Sequence, residues 1–344
     1  VSAEKSGPSI WCVADGRAGI LNQTLALAAA LGEPERAAKL AHFRSSAHRD
    51  APLVLQPQGW QLMLRPDLWP SALSALPTAQ REQMRAPWPD IWIAAGRRSI
   101  PYSRLVKKLS GGATFVVQTQ NPKVGLSGFD LVVPPEHDGV AAAPNVFPII
   151  GPPVWFSKAR VADARAKFAA LKSSPGQKAL VSIGGDSKTH RMSDANIAAI
   201  EGGIQRLAQG RTFWITVSRR TPEQARVRFR RLASTLPGAV FWENEERDGP
   251  NPYVAFLSMC DLALVTAESA NMIADPAFFG KPVYLLKLDG GSPRFDRLHQ
   301  GFIGQGAARW FTGGLQTWSY DPIREASRAA DEIVRRVLER RPAA

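Results

Sequence analysis

DLALVTAESANMIADPAFFGKPVYLL, Asp261 to Leu286, decides the fold. An apolar run of strand length opens it (Leu262 to Val265) and a second closes it (Val283 to Leu286). Between them lie a polar turn from Thr266 to Asn271, a helical piece carrying Asp275, and Gly280-Lys281-Pro282 as a stop signal. Strand, helix and strand in this order form a crossover, the unit of a parallel sheet. Polar groups after the first strand then lie at the carboxyl edge of the sheet, where open α/β folds bind ligands. A nucleotide-type site is expected there.

The same alternation runs outward in both directions. Toward the amino terminus the expected strands are Ile10 to Ala14, Ile91 to Ala95, Thr114 to Val117 and Leu131 to Val133, with helices from Asn22 to Leu31 and up to Leu109. The Pro- and Trp-rich stretch Pro52 to Trp88 reads as loops and short helices. The second half reads as helix Val161 to Leu171, strand Ala179 to Ile183, helix Ser193 to Ala208 and strand Phe213 to Val217. Helix Glu223 to Ser234, strand Val240 to Trp242 and a closing amphipathic helix from Glu325 to Arg340 follow. Between the halves, Pro144 to Pro153 holds four prolines and one glycine, a stiff connector suited to a domain boundary. The expected class is α/β, two Rossmann-like domains facing across a cleft, divided as 1–148 and 149–344, with the last helix free to cross back to the first.

At 344 residues the chain exceeds one ordinary core. No apolar run approaches the ~20 residues that cross a bilayer. The chain opens on Val1 without a secretory signal, a start that trimming also produces. Its two cysteines, Cys12 in an expected strand and Cys260 in an expected helix, offer neither metal spacing nor a disulfide framework and fit a reducing compartment. The net charge of +13 favours anionic partners. Nucleic acid ranks below anionic lipid headgroups and phosphorylated ligands, because no aromatics interleave the basic clusters and no binding motif is present. Simple enrichment in Arg explains the same number. The expected location is the cytoplasm, peripheral on the inner membrane.

Four constellations follow strands. Ile183-Gly184-Gly185-Asp186-Ser187-Lys188 precedes a helix, and paired glycines with free amides near a helix start attract phosphate. It is neither a P-loop nor a GxGxxG fingerprint, and a plain tight turn fits as well. In Ser218-Arg219-Arg220-Thr221-Pro222, Thr221 suits an N-cap and the two guanidinium groups suit a diphosphate, against a solvated basic turn. Glu268-Ser269 and Asp275 place two carboxylates seven residues apart, on one face if the helix reaches both; helix-dipole compensation explains Glu268 equally. In the first half stand Asp15-Gly16-Arg17-Ala18-Gly19 with Asn22 and Gln23, and Gly96-Arg97-Arg98. Asp15 is a candidate general base, or a capping Asp in a glycine turn. His137, flanked by Glu136 and Asp138, is a candidate proton-transfer residue, or a surface-loop histidine. No His, Cys or carboxylate spacing suggests a metal. The Arg-rich helices Glu223 to Ser234 and Glu325 to Arg340 suit an anionic membrane, or solvated faces.

Taken in order, these pieces resemble the mitochondrial fission ELM1-like family across nearly the whole chain. The carrying residues include Asp15 to Gly19 with Asn22-Gln23, Ala95 to Arg98, Val117-Gln118, Pro135 to Asp138 and Ile183 to Gly185. They continue with Ser218 to Pro222, Asn251-Pro252-Tyr253, and Val265 through Val283. The chain departs from the family pattern at Asp186, Glu268 and Ala274-Asp275, where proline, aspartate and a Ser-Glu pair are expected. The second half also resembles the nucleotide-sugar half of GT-B glycosyltransferases such as the peptidoglycan enzyme MurG. That likeness implies Gly184, Gly185, Ser187, Ser218, Arg219 and Arg220 around a donor diphosphate. It implies Asn251 and Tyr253 at the base, and Glu268, Ser269 and Asp275 near sugar and ribose. The acceptor falls to Arg17, Gly19, Asn22, Gln23, Gly96, Arg97, Arg98 and Gln118, with Asp15 or His137 taking its proton and no metal or cofactor required. No histidine stands where MurG carries one in its first glycine loop. The implied activity is transfer of a sugar from a nucleotide-sugar to an envelope acceptor, possible lipid-linked acceptors included. The alternative is a non-catalytic adaptor of the same fold, in keeping with the plant member that names the family and is thought to recruit dynamin-related proteins. An epimerase reading lacks a dinucleotide fingerprint.

Overall fold

Runs of Val, Ile, Leu and Ala, buried on both faces, make two parallel sheets. A computed structural model describes residues 5–341, which divide between Trp155 and Phe156 into two units; the segment from Arg324 onward belongs to the first. The first sheet holds β1 (Ile10–Ala14), β2 (Leu53–Val54), β3 (Ile91–Ala95), β4 (Phe115–Thr119) and β5 (Leu131–Val133). Its order is β2-β1-β3-β4-β5. The second holds β6 (Gln177–Ile183), β7 (Arg211–Val217), β8 (Val240–Trp242), β9 (Leu262–Thr266), β10 (Val283–Leu286) and β11 (Ala308–Trp310). Its order is β8-β7-β6-β9-β10-β11. Each sheet reverses its direction of growth once, between β1 and β3 and between β6 and β9. Helices leave such a switch point on opposite faces and open a crevice beyond the strand ends.

The main helices are α1 (Ala18–Leu31), α2 (Ile100–Leu109), α3 (Lys158–Lys167), α4 (Asp194–Arg206), α5 (Glu223–Thr235), α6 (Tyr253–Met259), α7 (Ala270–Phe278), α8 (Pro293–Gly304) and α9 (Glu325–Arg340). Helix α1 starts earlier than Asn22 because the Arg17 carbonyl already accepts from the Ile20 and Leu21 amides. Helix α3 stops short of Leu171: Phe168 leaves helical geometry and Ala169–Ser173 continue as a 3-10 turn. A reciprocal capping box between Ser193 and Asn196 fixes the start of α4. Strand β2 lies inside the stretch read as loops and short helices; two residues carry no period to read. Cys260 sits just past α6 rather than within it. Burial pushes its thiol and that of Cys12 up to about 12, so both are inert.

In the first unit α1 and α9 cover one face of the sheet, with Leu27, Ile93, Val117, Ile333 and Val337 in the shared core. Trp11, Trp92, Tyr102 and Val116 fill the other face. Full burial of Ile333 and Val337 contributes about 1.5–3 kcal/mol each, which explains why a helix so late in the chain returns here. The buried Glu325 carboxylate fixes its start by accepting the Ile150 amide at 2.7 Å. In the second unit Val181, Ile215, Phe229 and Leu264 belong to one core cluster.

Most arginines of the two Arg-rich helices are paired with acids of their own unit. Arg226 pairs with Glu243 at 3.1 Å, Arg230 with Asp248 at 2.7 Å, and Arg228 with Glu201. On α9, Arg335 and Arg336 share Glu332. Most of their charge is thus paired within its own unit, while exposed Arg231 on α5 has no ion pair among the described residues. Among the described residues no helix is long and apolar enough to cross one.

Candidate functional site

The second switch point is bridged by side chains. Strand β6 runs into Gly184-Gly185, β9 into Ala267-Glu268, and β7 into Ser218 to Thr221. The Gly184 amide donates to Thr266 Oγ1 at 2.7 Å, and the Gly185 amide to Glu268 Oε1 at 2.9 Å. The Arg220 guanidinium reaches the same Glu268 oxygen at 3.3 Å. The expectation of free glycine amides is therefore corrected: both are already bonded within the chain. A Cβ at Gly184 would fall onto Glu268 Oε1, and one at Gly185 onto the Arg220 carbonyl, 2.7 Å from the Thr221 nitrogen. These glycines are required by a carboxylate and a neighbouring backbone.

Thr221 is not an N-cap. Pro222 occupies that position before α5. The Thr221 hydroxyl is buried instead, accepting the Ser218 amide at 2.9 Å and bonding the Ile183 carbonyl at 3.0 Å and that of Gly184. It ties the loop after β7 to the end of β6. Arg226 locks the loop from behind, donating to the Thr221 carbonyl at 2.8 Å and the Arg219 carbonyl at 3.0 Å. The exposed Arg219 side chain has no hydrogen bond or ion pair among the described residues. Ser187 accepts the His190 amide at 3.0 Å, and Asp186 the Met192 amide at 2.8 Å, so both organise the loop that follows the glycines.

Burial pushes the Glu268 carboxyl above its ordinary value, opposed by the Gly185 amide and Arg220. Its Oε2 is buried without a hydrogen-bond partner among the described residues. Glu268 precedes α7 and turns back onto the sheet edge, whereas Asp275 lies within the helix and accepts the Tyr253 hydroxyl at 2.9 Å. The two carboxylates thus do not share one helix face. Burial raises the Asp275 carboxyl to about 7 despite that hydrogen bond. Asn251 accepts the Tyr253 amide at 2.9 Å, opening α6. Ser269 occupies the N-cap of α7 and makes no capping bond. Helices α6 and α7 both start at the carboxyl edge, which brings the Tyr253–Asp275 pair to the same edge as Gly185, Arg220 and Glu268.

One contributor escaped the sequence. Buried His299, on α8, bonds through Nε2 to the Ala267 carbonyl at 2.7 Å, the residue before Glu268. Burial lowers its pKa, and since a carbonyl only accepts, Nε2–H is the donor of this bond. The His299 ring also packs edge-on to Trp310 at 5.0 Å. Nothing in its spacing signals this role.

The first switch point gathers Asp15 and Gly96. Asp15 has a buried side chain held bidentately by Arg17, with Nε to Oδ1 at 3.0 Å. Gly96 adopts φ +87°, and a Cβ there would lie 3.2 Å from Asp15 Oδ2. Gln23 accepts from Gln120 at 3.1 Å. Asn22, Gly19, Arg97 and Arg98 are exposed, and Arg97 donates to the Leu64 carbonyl at 3.1 Å. Two residues differ from expectation. Gln118 is buried and bonded to Ser103 at 3.1 Å, in a network that also takes the Trp92 indole N–H, so it faces no acceptor. His137 is 2% exposed, 3.8 Å from Asp138, rather than in a surface loop.

A family model described as mitochondrial fission ELM1 matches residues 18–337. Mitochondrial fission protein ELM1 of Arabidopsis thaliana is 29% identical over an alignment of 292 positions, gaps included, that covers 73% of this chain and 65% of the plant protein, just under two thirds of its length. An uncharacterized Rickettsia prowazekii protein is 25% identical over an alignment of 383 positions, gaps included, that covers 94% of this chain and 97% of its own. Among solved structures, the UDP-GlcNAc 2-epimerase of Methanocaldococcus jannaschii aligns with a TM-score of 0.53 at 10% identity, over 95% of this chain and 99% of that one. At that identity the likeness is one of fold, two Rossmann-like units of the GT-B class. By the reach of the family model, this chain is a member of the mitochondrial fission ELM1 family.

Proposed function

We propose that this protein is a GT-B-type glycosyltransferase that moves a sugar from a nucleotide-sugar to a cell-envelope acceptor, lipid-linked and met at a membrane surface. The observation that carries the reading is the convergence of Gly184-Gly185, Arg220 and Glu268 at the topological switch point of the second sheet. The unpaired Arg219 and the partly exposed Arg220 suit two oxyanions of a diphosphate. They would also stabilise the charge that develops on the leaving diphosphate. Tyr253 with Asp275 suits a ribose, Asn251 the base, and Ser187, Ser218 and Ser269 offer hydroxyls along the same edge. Buried Glu268, with one oxygen unpartnered, suits a sugar hydroxyl. Asp15, oriented by Arg17, is the group we assign to receive the acceptor proton, with His137 the second candidate.

Incubation of the protein with isotope-labelled UDP- and GDP-sugars and a membrane lipid extract tests this. Label transferred to lipid supports the reading, and its loss in Asp15→Asn supports the assigned base. Conversion of the sugar to its epimer without transfer would replace transfer by epimerisation, an activity carried by the jannaschii protein named above. A second reading, a non-catalytic adaptor, is favoured by the exposed apolar tips Trp60, Met63 and Leu68. It requires that no nucleotide binds.

A further inference from the structure

Exposed large apolar side chains are few among the described residues, and three of them fall in one short segment of the first unit: Trp60 at 62% exposed, Met63 at 86% and Leu68 at 59%. Two 3-10 turns, Trp60–Met63 and Pro66–Leu68, hold them out. Their base is fixed. Buried Gln61 donates to the Ser71 carbonyl at 3.2 Å and Ser74 Oγ at 2.9 Å, and the Leu64 carbonyl takes the Arg97 guanidinium at 3.1 Å. The tips are therefore held outward by a bonded frame, although exposure of a Trp, a Met and a Leu to water opposes folding by hydrophobic hydration. Such a patch marks an interaction surface.

Its surroundings identify the partner. Helix α2 runs alongside, and between it and the second 3-10 turn lies a groove of about 400 Å³ lined by Trp69 and Leu105, with Arg104 and Lys108 on its rim. Arg98, Arg104 and Lys108 are exposed and have no ion pair among the described residues, unlike Arg226, Arg228 and Arg230 of α5 and Arg335 and Arg336 of α9. In the segment itself Asp67 is already neutralised by Arg65 at 2.9 Å. A segment with apolar tips led by Trp, lying beside a helix whose exposed cations lack ion pairs, is complementary to an anionic bilayer: Trp and Leu enter the headgroup region while Arg and Lys meet lipid phosphates. We propose that residues 60–68, with the rim of Arg98, Arg104 and Lys108, dock this protein onto an anionic phospholipid surface. This deepens the membrane part of the proposed function and is independent of nucleotide binding.

Flotation of the full chain with vesicles tests it, using equimolar phosphatidylglycerol and phosphatidylcholine against phosphatidylcholine alone. The wild type should float with the anionic vesicles only, and less as salt is raised. The exposed-site variant Trp60→Ser/Met63→Ser/Leu68→Ser should bind at least about tenfold more weakly at unchanged Tm, and Arg98→Ser/Arg104→Ser/Lys108→Ser likewise. Undiminished flotation of the first variant would overturn this surface while leaving membrane association standing. Failure of the wild type to float would overturn both. A wild-type dimer in light scattering that the apolar variant dissociates, without vesicle binding, would assign the patch to a second copy of the chain instead.

Discussion

The Glu268 carboxylate accepts the Gly185 amide proton at 2.9 Å, across the point where the second sheet reverses its strand order. A protein anion thus occupies part of the cradle that a Rossmann-like unit ordinarily offers to phosphate. Arg220, at 3.3 Å from the same oxygen, joins this contact to the exposed loop after β7.

The two glycines should respond differently to the same substitution. Gly184→Ala places its Cβ against a side chain, and Gly185→Ala against backbone. Each should destabilise by about 2 kcal/mol or more in denaturant unfolding. Adding Glu268→Ala should recover most of the Gly184→Ala loss and none of the Gly185→Ala loss, a coupling that a double-mutant cycle measures.

Glu268 should also oppose a bound diphosphate, because like charges near one guanidinium repel. Glu268→Gln keeps an acceptor for the Gly185 amide and removes the charge. Calorimetry should show nucleoside diphosphate bound roughly tenfold more tightly, equivalent to about 1.4 kcal/mol. Equal or weaker binding would show that the carboxylate does not compete.

Stability should depend on Asp275. Its carboxyl titrates at about 7 in the folded chain against an ordinary 3.8, so the folded state holds a proton that the unfolded chain releases. The favourable contribution is complete below the ordinary value and is lost as pH rises through about 7. Asp275→Asn, which preserves an acceptor for Tyr253, should flatten the fall in Tm between about pH 5 and about pH 8.

Adjacent arginines should separate binding from folding. Arg219→Ala removes a side chain without a partner and should leave stability within about 0.5 kcal/mol while weakening diphosphate binding about tenfold. Arg226→Ala removes bonds to the Arg219 and Thr221 carbonyls and to Glu243, and should lower stability by about 2 kcal/mol. Chemical denaturation and calorimetry on the same pair of variants distinguish the two roles.

Much of this was legible locally. The runs Ile91–Ala95 and Val283–Leu286 read as buried strands from their length and their flanking turns, and Gly184-Gly185 after Ile183 marked a strand end suited to close backbone approach. What stayed hidden joins residues far apart in the chain. The Gly185–Glu268 and His299–Ala267 bonds depend on strand order, which periodicity does not encode. Thr221 illustrates the limit: its position before Pro222 suggests a cap, yet the carbonyls of Ile183, the last residue of β6, and of Gly184 just beyond it take its hydroxyl. Gln118 sits on a strand end where a ligand contact is plausible, and Ser103 from α2 takes it instead.

Isothermal titration of the wild-type chain with UDP, GDP and ADP, repeated on Arg220→Ala, addresses nucleotide recognition without presuming an acceptor. Saturable binding of at least one diphosphate, weakened about tenfold in the variant, is the predicted result. No heat with any of the three, or binding indifferent to loss of Arg220, would contradict it.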